Sequence, residues 1–384
     1  FKVCQTSFCN SFVDVTATAK FVGPKGAIYL DNTVPGGGYT QADLDQIGAL
    51  FDGPEPNMYG IDTTAFGRES DLDGNGVVII LLSDQVNNLS GTCSDGTIVL
   101  GYFFGLDLTT DPNSNQGEIF YGLVPDPGNE DCTASRSFAL LRLPPIFIHE
   151  FQHMISFNQH SLVRSGLPEQ LWLNEGLSHF AEELGGRLLP DARCPQASSC
   201  LSQFVGSGNL QNAFSYLSDI EGNFLVTTSG IGSLGERGAG WLFVRWLADQ
   251  FATDTILGTS LTRSLVQTTS TGAANVVAVT GEPFDQLIGQ WQLANQMEGN
   301  STFTEPTGRL RYRSWDFAEL FPSYPVNPDR VLGNSFGRTG TLRAGSGRHT
   351  YIDRPPNSGP FDIQLRGGQN FANLQPRLAV LRFH

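Results

Sequence analysis

Lysine is nearly missing from this 384-residue chain. It occurs only at Lys2, Lys20 and Lys25, and arginine supplies the rest of the 23 basic side chains. Asp and Glu number 38, so the formal net charge is −15. Nucleic-acid binding needs a net basic surface to neutralise phosphates, so this balance argues against such a partner. Charged residues of either sign make up only 16% of the chain and hydrophobic ones 40%, too apolar a mixture for a disordered chain. Long apolar runs are also missing. The longest, such as 77–82, have the length of a strand, and none could span a bilayer. CxxC spacing is missing among Cys4, Cys9, Cys93, Cys132, Cys194 and Cys200, which argues against a zinc-thiolate site.

What is present points elsewhere. The length fits two or three domains. An even cysteine count without CxxC spacing reads as disulfides. Proximity favours Cys4–Cys9 and Cys194–Cys200, which leaves Cys93–Cys132. Disulfides need an oxidising compartment, so secretion is expected. Phe1-Lys2-Val3-Cys4 has no initiator Met and no hydrophobic core of a signal peptide, so the chain reads as a processed product.

Three segments differ in pattern, and no internal repeat is evident. Residues 1–135 read as a β-rich lobe, with β-branched or aromatic runs at 27–30, 77–82, 98–104 and 119–124. One helix interrupts them: Thr40 caps it, Asp43 is the capping-box carboxylate, and Leu44, Ile47 and Leu50 recur at helical spacing. Residues 136–300 read as helical. A helix is expected from Pro144-Pro145 through Phe157, and a second from Pro168 to Leu184, stopped by Gly185-Gly186. A third covers 238–251 and a fourth 284–297. Residues 301–384 alternate at 340–342, 349–352, 361–365 and 378–383, which predicts an appended β-sandwich or jelly roll. Charge changes sign at the same boundary: 32 acidic and 12 basic side chains over 1–300, then 6 and 11 over 301–384.

The strongest signal is His149-Glu150-Phe151-Gln152-His153. On a helix His149 and His153 lie one turn apart on one face and can chelate one zinc ion. Glu150 stands beside them, placed to take a proton from water. A catalytic zinc needs a third protein ligand and an open position. Glu175, in Asn174-Glu175-Gly176-Leu177-Ser178 on the next expected helix, can complete a His₂Glu set. Four of the six histidines fall within 149–179.

HEFQHMIS followed by WLNEGLSHFAEELGG resembles the gluzincin metallopeptidases, and within them the hyicolysin-type neutral metallopeptidases of bacteria. The runs at 71–87, 114–127 and 237–251 resemble that family's blocks as well, so the likeness covers roughly 25–300. It implies a thermolysin-like α+β fold: a β-rich N-terminal lobe and a mainly helical C-terminal lobe, with the zinc helix between them. It also implies a zinc endopeptidase acting on proteins or peptides, with His149, His153 and Glu175 as ligands and Glu150 as general base. A monomer is expected.

Two positions depart from that pattern. The segment before the third helix, Gly235-Glu236-Arg237-Gly238, has no Tyr or His to stabilise an oxyanion. Tyr216 is the first candidate for that role and Arg237 the second. Four residues after Glu175, where thermolysin-like sequences carry an Asp that orients a zinc histidine, stands His179. Glu182, Glu183 or a backbone carbonyl can take over that function. Asn174 adjoins the ligand Glu.

Asp71-Leu72-Asp73-Gly74-Asn75-Gly76 matches the first half of a calcium loop, with oxygen donors at Asp71, Asp73 and Asn75. Position 12 is Leu82, so Asp84 or Asp62 would have to complete a smaller site. Two other functions compete with the endopeptidase. One is a zinc aminopeptidase, although no GAMEN-like acidic motif precedes the zinc helix. The other is an adhesion or binding protein with a vestigial site, its basic C-terminal segment docking onto acidic polymers or onto its own acidic catalytic lobe.

Overall fold

The computed structural model describes residues 1–384 except 94–97, 130–131, 207, 229, 255, 301–302, 306–307, 333–335, 355–357, 361, 367–375 and 383–384. The architecture is mixed α+β. Its strands are β1 (Lys2–Cys4), β2 (Phe12–Asp14), β3 (Ala17–Val22), β4 (Gly26–Asp31), β5 (Val78–Leu82), β6 (Gly101–Phe103), β7 (Ile119–Gly122), β8 (Asp329–Val331) and β9 (Thr350–Ile352). Its helices are α1 (Gln41–Asp52), α2 (Met58–Ala65), α3 (Asp84–Asn88), α4 (Arg136–Phe157), α5 (Leu171–Leu188), α6 (Asn209–Ser218), α7 (Leu234–Phe251), α8 (Thr259–Val266), α9 (Gly272–Thr280), α10 (Phe284–Glu298) and α11 (Phe317–Leu320). Two compact units result. The first comprises Phe1–Gln170, Leu177–Leu210 and Thr259–Thr271; the second comprises Leu171–Gly176, Gln211–Gly258 and Gly272–His384. The segment 136–300, read above as one helical lobe, contributes to both.

The first unit holds a five-stranded sheet in the order β3-β4-β5-β7-β6. The inner strands β4, β5 and β7 run parallel, and β3 and β6 pair antiparallel at the edges. Inner parallel strands are covered on both faces, which is why β5 and β7 read as unbroken apolar runs. Ile80, Leu81 and Leu82 are fully buried, and so nearly are Ile119, Phe120 and Tyr121. The helix expected after Thr40 forms as α1, with its capping box complete: Asp43 accepts the Thr40 N–H at 2.7 Å. The three expected disulfides, Cys4–Cys9, Cys93–Cys132 and Cys194–Cys200, are all present in this unit.

Helix α4 begins earlier than Pro144. Ser135 caps it by accepting the Phe138 N–H at 3.1 Å, and both prolines lie inside it. A proline has no N–H, so Pro144 and Pro145 leave the carbonyls of Leu140 and Leu141 without their helical donors. The side chain of Gln203 takes their place. Its Nε2 donates to Leu140 O at 3.2 Å and to Leu141 O at 3.1 Å. Gln203 is 2% exposed and sits in the π-helical turn Ser202–Gly206. Replacing it with Leu orphans both carbonyls and should cost about 2–3 kcal/mol of stability, read by urea denaturation. An unchanged midpoint would refute this role for Gln203.

Helix α5 does not stop at Gly185-Gly186 but runs on to Leu188. The glycines serve close packing instead. A Cβ on Gly185 would lie 2.8 Å from the Phe204 ring, and one on Gly186 would lie 3.1 Å from Leu201 Cα.

In the second unit the expected third helix extends back to Leu234 as α7, where Ser233 and Glu236 form a second capping box. Trp241, Trp246, Phe243 and Trp291 are fully buried. The Arg245–Asp249 ion pair is buried with them at 2.9 Å. The β-sandwich expected over 301–384 does not form among the described residues. There the strands are β8 and β9, paired in parallel as a two-stranded sheet. Among the described residues no second sheet covers the apolar side chains: Leu342, Ile363, Leu365, Leu378 and Val380 are exposed. Phe361 and Phe383, which bounded two of the expected strands, lie outside the described residues.

Candidate metal centre

Aromatic packing sets the rotation of α4. Phe147 meets Phe120 of β7 at 5.2 Å between ring centroids, and Phe151 meets Phe51 of α1 at 5.3 Å and Tyr59 of α2 at 5.4 Å. With Phe147 and Phe151 on that face, His149 and His153 occupy another. Their rings lie 4.8 Å apart, and the ring of His179 on α5 lies 4.8 Å from His149 on its other flank. Glu150 is 6% exposed and adjoins His149 on α4.

Two sets of donors have spacing suited to a cation. In His149, His153 and Glu175, one ligand atom from each residue lies within 4.8 Å of the others; the same holds for His149, His179 and Glu182. His149 and Glu175 are each 6% exposed. Glu175, His179 and Glu182 all stand on α5, at positions separated by four and three residues, so one helix brings them to the same side.

Hydrogen bonds distinguish the roles of these donors. Glu182 Oε1 lies 2.7 Å from His149 Nδ1 and 2.9 Å from His179 Nδ1. An ionised carboxylate only accepts, so both Nδ1 atoms carry protons in this network. Nε2 is then the His149 nitrogen that could ligate a metal. Burial would push the Glu182 carboxyl up, but His179 and the hydrogen bonds from both histidines outweigh it and hold the group down at about 2. Glu183 is committed elsewhere, to Arg187 at 2.7 Å. Of the carboxylates weighed from the sequence, the one that reaches a candidate ligand is therefore Glu182.

His153 is oriented by a residue that sequence reasoning missed. Ser178 Oγ lies 3.0 Å from His153 Nδ1 and 3.4 Å from its Nε2. The same hydroxyl donates to Gln152 Oε1. The hydroxyl is within reach of both ring nitrogens, so it packs against the His153 ring without fixing which nitrogen carries the proton. The only signal in the sequence was spacing, since Ser178 lies three residues after Glu175 on α5. Two imidazoles and one carboxylate make an N,N,O donor set that could hold a metal ion.

The other expected site residues fall elsewhere. Tyr216 is fully buried in the second unit, where its ring stacks on Trp291 at 5.5 Å and its hydroxyl accepts from Gln292 Nε2 at 2.9 Å. That hydroxyl serves core packing rather than an oxyanion. Arg237 lies on the first turn of α7, and its Nε is buried with no hydrogen-bond partner among the described residues. Asn174 is half-buried, next to Glu175.

At the calcium-like loop, Asp71 and Asp73 are joined by Glu118, with one oxygen from each within 4.8 Å of the others. The completing residue is thus neither Asp84 nor Asp62. Asp62 is buried in α2, and Asp84 lies beside Asp31, whose charge adds to burial in raising its carboxyl. Asn75 spends its side chain on the turn, donating to Asp73 at 2.6 Å and accepting the Val77 N–H at 2.7 Å.

No helix among the described residues is long and apolar enough to cross a membrane. No family model matches the chain, and no curated protein matches it either.

Proposed function

We propose that the chain is a secreted zinc-dependent endopeptidase. One observation carries the reading: His149, His153 and Glu175 converge as a donor set, with Glu150 beside it and the Nδ1 of His149 held by Glu182. A zinc ion held by His149, His153 and Glu175 would supply Lewis acidity. Glu150 would act as the general base, accepting a proton from water and delivering it to the leaving amine. Arg237 is the remaining candidate for stabilising the oxyanion, since a guanidinium can donate to it.

Substrate backbone has one natural place in the sheet. Of the strands that form in the runs 98–104 and 119–124, β7 is internal and β6 is an edge. β6 also lies beside the zinc helix: a Cβ on Gly101 would approach Ile146 Cγ2, one turn before Glu150, to 2.7 Å. An extended peptide added to β6 would continue the sheet. Three disulfides fit an oxidising compartment, which supports secretion.

Metal analysis joined to a protease assay tests the reading. One zinc per chain is expected, with casein hydrolysis abolished by a chelator and restored by added zinc. Undiminished hydrolysis by the metal-free protein would overturn it.

A further inference from the structure

Two donor sets meet at His149, and the second consists of His149, His179 and Glu182. All three residues are buried and belong to the first unit. Their hydrogen bonds converge on a single atom. Glu182 Oε1 stands 2.7 Å from His149 Nδ1 and 2.9 Å from His179 Nδ1. A carboxylate oxygen has two lone pairs, so it can accept both N–H groups at once. One N–H comes from α4 and the other from α5, and together they fix where this oxygen stands. A carboxylate held by His149 alone could turn about its side-chain torsions.

The other nitrogen of His179 takes no part in this network. Its Nε2 is buried and has no hydrogen-bond partner among the described residues. A proton there would be a buried donor without an acceptor, so the proton of this ring belongs on Nδ1. Neither His153 nor Glu175 shares a donor set with His179. The ring lies edge-on to His149, 4.8 Å away at 71°. Its turn of α5 is anchored as well: Asn209, fully buried, donates from Nδ2 to His179 O at 2.8 Å. The outer partner of a ligand histidine sets that ligand's tautomer and basicity, and it does so only as well as its own rotamer is held. We propose that His179 is a positioning residue of the metal centre: it shares Glu182 with His149, aims that carboxylate at the His149 Nδ1–H, and makes no bond to the ion. The second donor set is then a hydrogen-bond network behind one metal position, and not a second metal position. The inference rests on the metal centre of the proposed function but not on peptide hydrolysis, and each of its tests is read without substrate.

The test measures the zinc affinity of the full chain by competition with a chromophoric chelator. The wild type should bind one zinc ion, and no second one in excess metal. His179→Phe keeps a flat ring against His149 but removes the N–H, and should weaken zinc about 3- to 10-fold, the worth of one hydrogen bond. His179→Asn can donate from nearly the same place through its Nδ2, and should stay within about twofold of the wild type. In a Glu182→Ala background, which has no acceptor, His179→Phe should add nothing. A second measurement does not depend on any variant folding. In nitrogen NMR spectra of the isotope-labelled, zinc-loaded chain, His179 should carry its proton on Nδ1 and show no metal shift at Nε2. Unchanged affinity in His179→Phe, an equal loss in His179→Asn, or an additive loss in the Glu182→Ala background would overturn the proposal. So would a second zinc ion, or a metal-shifted Nε2, which would make His179 a ligand. A wild type that binds no zinc would remove the metal centre itself, which sets that failure apart from this one.

Discussion

Under the proposed function, Glu150→Gln should lower the rate of casein hydrolysis by about 10²- to 10⁴-fold and should leave one tightly bound zinc per chain. The expectation rests on place and chemistry together. Glu150 adjoins the candidate ligand His149, yet belongs to neither donor set. Glutamine keeps the size and can still position a water, but it cannot accept the proton. Binding and catalysis should therefore separate: metal content stays and turnover falls. Hydrolysis at the wild-type rate would refute the role assigned to Glu150. Loss of the metal along with activity would instead place Glu150 among the groups that hold it.

The second large effect falls on metal affinity. Glu182→Gln should weaken zinc binding by about 10- to 100-fold, measured by competition with a chromophoric chelator. Glu182 Oε1 receives two imidazole N–H groups, 2.7 Å and 2.9 Å away. Set where Oε1 stands, an amide oxygen still accepts both N–H groups, but it lacks the negative charge that strengthens them. His149 then keeps an acceptor for its Nδ1 proton but loses the charge that raises its basicity as a ligand. Glu183→Gln is the control, because Glu183 pairs with Arg187. Equal zinc affinity in the Glu182 variant and the wild type would show that His149 needs no carboxylate behind it.

Features set by short-range chemistry were legible in the sequence. The capping box of α1 is local, and so is the i, i+4 spacing of His149 and His153. Proximity sufficed for two disulfides and elimination for the third. What depended on distant partners was not legible. Pro144-Pro145 read as a helix start because the compensating donor, Gln203, lies about sixty residues away. Gly185-Gly186 read as a stop because the Phe204 ring that needs their bare backbone is equally invisible locally. Choosing Glu182 over Glu183 required the rotation of α5 about its axis. Glu118 joins Asp71 and Asp73 only through the sheet, since β7 begins at Ile119 beside β5. The C-terminal stretches have a strand's alternation, but their apolar side chains find no covering layer.

The two prolines of α4 have a dynamic consequence. Between Leu140 and Pro145 the helix lacks two of its own rungs, and a single side chain bridges the gap. The turns before the gap can therefore open without the turns that carry His149 and His153. In native-state amide exchange α4 should divide there, with the N-terminal turns exchanging through small openings and the histidine-bearing turns only when the unit unfolds. Gln203 sets how independent the two halves are, and its own turn begins two residues beyond the Cys194–Cys200 disulfide.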